Sequence, residues 1–133
     1  MIRKIEITEP FHQIMNMGGP FTGLLSIDGK EFEGRYISQD VVFDEMTRMF
    51  YVVRYSDKGY FQWQAYFKIQ AISADNNHHF LSRKKFKSLC LSNAHNGTVA
   101  YYDCFCEGNK TTLKTMEFNE RNFDAYSPGH AHL

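Results

Sequence analysis

The chain has 133 residues, room for one domain with one core, and its 43% apolar and 16% aromatic content, with 12 Phe and 8 Tyr beside Trp63, excludes a disordered polypeptide. Lys plus Arg and Asp plus Glu number 15 each, so no global field draws in nucleic acid or an anionic membrane. Cys90, Cys104 and Cys106 are an odd set, the last two too close along a strand to bridge each other, and they read as reduced thiols of a cytoplasmic protein.

In chain order, Met1 to Ile7 alternates charge with Ile and lacks the apolar stretch of a secretory signal, and no apolar run nears the ~18 residues of a membrane span. Pro10 to Met17 carries Phe11, Ile14 and Met15 at helical spacing and predicts a short helix. Gly18-Gly19-Pro20 ends it. These glycines make no nucleotide loop, since no Lys-Ser or Lys-Thr follows. Leu24 to Ile27 and Glu31 to Ser38 flank Asp28-Gly29, the dipeptide that type I′ hairpin turns prefer. Asp44 and Glu45 make the turn before Arg48. Arg48 to Ser56 then reads as a strand, joined through Asp57-Lys58-Gly59 to a second one. In that second strand Phe61, Trp63, Ala65, Phe67, Ile69 and Ala71 alternate with polar neighbours, which predicts one dry face.

His78-His79 follows the polar turn Asp75-Asn76-Asn77 and reads as an exposed hairpin tip, because adjacent side chains on a strand diverge and no further ligands have metal-site spacing. Arg83, Lys84, Lys85 and Lys87 read as an edge strand guarded by charge. Phe86 to Ser92 and Thr98 to Cys106 form a hairpin about Asn96-Gly97, and Glu107-Gly108-Asn109 turns the chain into Lys110 to Phe118. Asn119 to Tyr126 is a second short-helix candidate behind an Asn119 cap, and residues 127–133 form a flexible tail after a single domain of residues 1–126. The stretch Asp44 to Ile69 recurs as Asn93 to Phe118, which suits two stacked meanders. The fold expected is mainly β, an antiparallel meander of about 8–10 strands forming a sandwich or barrel, with at most one or two short helices.

Charge is unevenly laid out. Residues 1–45 hold four basic and eight acidic side chains, and residues 46–90 hold eight basic against Asp57 and Asp75. Nothing groups a nucleophile, base and stabiliser, so no catalytic residue, cofactor or metal is expected. Tyrosines beside charges are the chemistry of interfaces, and Asp44, Glu45, Tyr51, Tyr55, Tyr66, Tyr101, Tyr102 and Asp103 are the partner-binding candidates.

In size, absence of a catalytic motif and orphan β character, the chain resembles the small immunity proteins that bacteria pair with contact-dependent or type VI secreted toxins. That resemblance implies a monomer or weak dimer that binds a cognate toxin domain stoichiometrically and occludes its active site. It carries no diagnostic motif and therefore assigns no residue. Alternatively, Ile27 to Tyr36 is loosely similar to a hairpin of avidin-like and lipocalin-like barrels, which implies a small-ligand cavity inside the strands.

Overall fold

A computed structural model describes residues 1–13, 21–37, 41–56, 65–104 and 112–129. Among them every regular element is a strand: β1 (Ile5–Gln13), β2 (Phe21–Ile27), β3 (Lys30–Ile37), β4 (Val42–Asp44), β5 (Met49–Ser56), β6 (Tyr66–Ser73), β7 (His79–Ser82), β8 (Cys90–His95), β9 (Thr98–Tyr102), β10 (Lys114–Glu117) and β11 (Phe123–Tyr126). Neither expected helix forms where the residues are described. Pro10 to Gln13 continue β1, and Asn119 to Tyr126 is a turn followed by β11. Residues 14–17, the rest of the first helix candidate, lie outside the described residues, as do the Gly18-Gly19-Pro20 breaker and the Asp57-Lys58-Gly59 and Glu107-Gly108-Asn109 turns.

The strands build an eight-stranded sheet in the order β1-β2-β3-β5-β6-β7-β11, with β4 also on β5, and a three-stranded sheet β10-β9-β8. All pairings are antiparallel. The two expected tight hairpins are present. Asp28 and Gly29 have φ of 50° and 87°, Asn96 and Gly97 have 50° and 83°, the left-handed values a type I′ turn requires. The internal echo corresponds to two meanders, β4-β5-β6 and β8-β9-β10, lying face to face.

Alternation places Tyr51, Val53, Tyr55, Phe67, Ile69 and Ala71 on one face of the large sheet, where they meet Leu91, Val99, Tyr101 and Met116 of the small sheet in one core. The opposite face was expected to be wet. Instead Val52 and Ile72 are buried there with Leu25, Ile27, Phe32 and Tyr36 in a second core, because the sheet rolls over itself.

The roll has a local cause in β3. Between the pairs Leu25–Phe32 and Gly23–Tyr36, β3 uses two more residues than β2, and Gly34 at its centre has φ of 110°. This bulge bends β3 so that it pairs β5 only through Arg35 and Tyr36, while Phe32 reaches across to pack on His79 of β7, ring centroids 5.7 Å apart and planes tilted by 45°. Glu33 N–H then donates to the carbonyl of Gly129, 2.8 Å away, so the segment after β11 returns to β3. Ser127 to Gly129 are part of the fold, and residues 130–133 lie outside the described ones.

A side chain at position 34 would occupy a backbone region reserved for glycine and would meet the Arg54 guanidinium at 2.9 Å. Gly34→Ala is expected to lower stability by about 2 kcal/mol, read as a shifted midpoint in urea unfolding. No helix among the described residues is long and apolar enough to cross a membrane.

Candidate interaction face

Half of the partner-binding candidates turn out to be structural. Asp44 ends β4 with none of its surface exposed. Its carboxylate accepts from Met46 N–H, Thr47 N–H and the Thr47 hydroxyl within its own turn, and from Asn96 N–H at 3.0 Å and Gly97 N–H at 2.7 Å across the sheet interface. Burial pushes its pKa up, but donors from Gly97, Thr47 and Met46 outweigh that and hold it at about 2. Asp44 is thus a clasp between the two meanders, too deep to touch a partner. Tyr51 is buried beside Phe118 and Phe123, and its hydroxyl has no hydrogen-bond partner among the described residues. Burial and the Asp44 carboxylate both push that phenol upward. Tyr55 packs on Phe67 at 5.4 Å and Tyr101 on Phe86 at 5.2 Å, both buried. These four residues supply core, and Glu45 stands exposed in the β4–β5 turn.

The remaining three, Tyr66, Tyr102 and Asp103, are half-buried, and Tyr66 and Asp103 lie against the basic run. That run is not an edge strand. It is the crossing from β7 in the large sheet to β8 in the small one. Buried Ser82 accepts from Ile69 N–H and donates to the Lys84 carbonyl, and Phe86 exchanges both backbone hydrogen bonds with Phe67 at 2.8 and 2.9 Å. With Phe86 sunk into the core, Lys84, Lys85 and Lys87 are left exposed.

Two of them lie over aromatic rings, Lys84 Nζ 5.0 Å from the Phe86 centroid and Lys85 Nζ 4.6 Å from that of Tyr66. The Ser88 hydroxyl donates to the Asp103 carbonyl at 2.8 Å and ties the crossing to the end of β9. Lys84, Lys85, Phe86, Lys87, Ser88 and Asp103 line an open hollow of about 270 Å³. The nearby carboxylates are engaged, Asp103 by Lys114 and Asp124 by Arg83. Among the described residues the three lysines form no ion pair, so the hollow presents uncompensated positive charge on a ring-backed surface.

A second polar feature was not foreseen. A one-way hydrogen-bond chain crosses the rolled interior. Arg54 Nη1 donates to the Tyr36 hydroxyl at 3.0 Å, Tyr36 donates to Gln70 Oε1 at 2.8 Å, and Gln70 Nε2 donates to His79 Nδ1 at 3.1 Å. His79 Nε2–H then donates to Asn76 Oδ1 at 2.9 Å. The orientation of the Gln70 amide leaves His79 Nδ1 as acceptor, which makes the ring neutral. Burial lowers the His79 pKa to about 4 and raises that of Tyr36 to about 12, the latter against the nearby Arg54 charge. The exposed tip expected at His78-His79 is therefore right only for His78, since His79 opposes Ile72 and points inward.

The cysteines also differ from expectation. Cys90 is disulfide-bonded, whereas Cys104 is free and half-buried. Comparison of the chain with family models, with curated proteins and with solved structures finds no match, so the basic crossing and the inner polar chain are the features from which a function is read.

Proposed function

We propose that the protein is a binding module that takes an acidic surface of another protein on the face formed by Lys84, Lys85 and Lys87 with Tyr66 and Asp103. The observation that carries this reading is the unpaired charge of the three lysines on a crossing anchored through Phe86 into the core. Such a surface costs little to order on binding, and its positive field selects acidic partners. Stoichiometric cover of a partner's active site, the mode implied by the likeness to toxin-immunity proteins, is the mechanism that fits a stiff, charged surface. The ligand-barrel alternative is less well supported, because Leu25, Ile27, Phe32, Tyr36, Val52 and Ile72 fill the rolled interior. As to setting, the cytoplasm expected from the cysteine count would keep Cys90 reduced, whereas a disulfide there calls for an oxidising compartment.

The test is affinity capture from the native host with the wild-type chain and with the Lys84→Glu/Lys85→Glu/Lys87→Glu variant, whose changes are all on exposed side chains. The wild type should retain one protein in equimolar amount, and the variant should bind that protein about 100-fold more weakly. Equal capture by a folded variant, or no stoichiometric protein with either chain, overturns the proposal.

A further inference from the structure

Of the asparagines in the sequence, only Asn96 precedes a glycine. An Asn-Gly pair is the sequence most open to deamidation, because glycine leaves its own nitrogen unobstructed for attack on the preceding side-chain amide. Asn96 sits at the tip of the β8–β9 hairpin with its side chain exposed, and no described residue engages its amide group.

The backbone of the same pair is tied down from two directions. Asn96 N–H and Gly97 N–H donate to the two oxygens of the Asp44 carboxylate at 3.0 and 2.7 Å, and the Gly97 carbonyl accepts from Phe118 N–H at 2.8 Å. Both residues are fixed at positive φ, 50° and 83°. The Gly97 nitrogen, the atom that must attack, is therefore held against a buried anion. Attack requires that nitrogen to lose its proton, and an adjacent carboxylate disfavours a second negative charge. The clasp must open before the pair can react. Deamidation is far slower than local opening, so its rate follows the population of the open state.

We propose that Asn96 is a self-modification site whose deamidation is gated by the Asp44 clasp and, once complete, disables that clasp. In the open state the Gly97 nitrogen bonds to Asn96 Cγ, the Cγ–Nδ2 bond breaks, and Nδ2 leaves as ammonia with the proton from Gly97. Water then opens the resulting succinimide at either carbonyl, giving aspartate or isoaspartate with no other reactant. Isoaspartate lengthens the main chain by one atom between the two N–H groups that share Asp44, so the turn no longer presents both. Either product also places a new carboxylate at the turn that Asp44 grips, and like charges at that spacing repel. The clasp thus keeps the pair intact while the sheets stay together, and each opening exposes it to a change that cannot reverse. The inference stands apart from the protein-binding face, which lies on the lysine crossing.

The experiment incubates the full chain at mildly alkaline pH and follows aspartate and isoaspartate at position 96 by peptide mapping. Asp44→Asn, Thr47→Val and an isolated peptide of residues 93–100 are followed in parallel. The peptide should react fastest and wild type slowest, with Asp44→Asn at least about fivefold faster than wild type. Thr47→Val withdraws one side-chain donor from Asp44 and keeps the backbone bonds, so it should fall between wild type and Asp44→Asn even if the latter folds poorly. The isoaspartyl form of wild type, separated by anion exchange on its added charge, should unfold at lower urea than the unmodified chain. Wild type reacting as fast as the peptide, neither variant reacting faster than wild type, or an isoaspartyl form with an unchanged urea midpoint overturns the proposal.

Discussion

Asp44→Ala is expected to lower the free energy of unfolding by about 4 kcal/mol, among the largest losses for one side chain in this fold. The carboxylate receives backbone donors from two turns far apart in sequence, at Met46 and Thr47 and at Asn96 and Gly97. Its loss leaves those N–H groups without their acceptor where the meanders meet. Asp44→Asn keeps the shape but turns one acceptor into a donor, and should cost roughly half as much. Acid should act in the same way. The Asp44 pKa is held at about 2 against an ordinary 3.8, so its contribution is complete above about pH 4 and is lost as pH falls through 2, roughly 2 kcal/mol in all. Urea unfolding of wild type and both variants checks these values, and an Asp44→Ala variant within about 1 kcal/mol of wild type would contradict the clasp.

The second large effect sits at milder pH. His79 is neutral in the folded chain with a pKa of about 4, against 6.5 when free. Protons therefore bind the unfolded chain first. The stability this side chain contributes is complete above about pH 6.5 and declines until pH passes 4, by roughly 3 kcal/mol. Protonation also places a hydrogen on Nδ1, facing the Gln70 amide donor, and breaks the chain from Arg54 to Asn76. His79→Leu should be less stable than wild type at pH 7 by about 2 kcal/mol, because it strands the Gln70 and Asn76 amides, yet it should lose little more between pH 6.5 and 4.5. An unchanged pH slope in that variant would exclude His79 as the titrating group.

The features legible in sequence are those set by neighbouring residues. Asp28-Gly29 and Asn96-Gly97 specify their turns because both positions need positive φ. Alternation through Phe67, Ile69 and Ala71 identifies a dry face for the same local reason. The second helix expectation shows where local chemistry misleads. Asn119 Oδ1 does accept from Arg121 N–H and Asn122 N–H as a helix cap would, but an Asx turn makes the same bonds before a strand, and Phe123 to Tyr126 pair with β7.

Long-range contacts decided the rest. Gln70 and His79 look wet in sequence, and nothing nearby reveals that a bulge at Gly34 folds β3 over them. Tyr51 and Tyr55 share parity with Val53, and it is this alternation, not the interface preference of tyrosine, that decides their place in the core. For the basic run, the burial of Phe86 is the informative signal. One large ring amid four cations, Arg83, Lys84, Lys85 and Lys87, marks an anchored crossing as readily as an edge strand. Spacing alone does not disclose the Cys90 disulfide, because paired thiols are brought together by the fold.

The most direct check on the binding face is hydrogen exchange of the protein alone and saturated with the partner that it retains from its host. Slowed exchange should be confined to Arg83 through Ser88, the β6 start at Tyr66 and the β9 end at Tyr102 to Asp103. Protection elsewhere, on the β1–β2 edge or around Glu45 with the lysine crossing unaffected, would contradict the assignment.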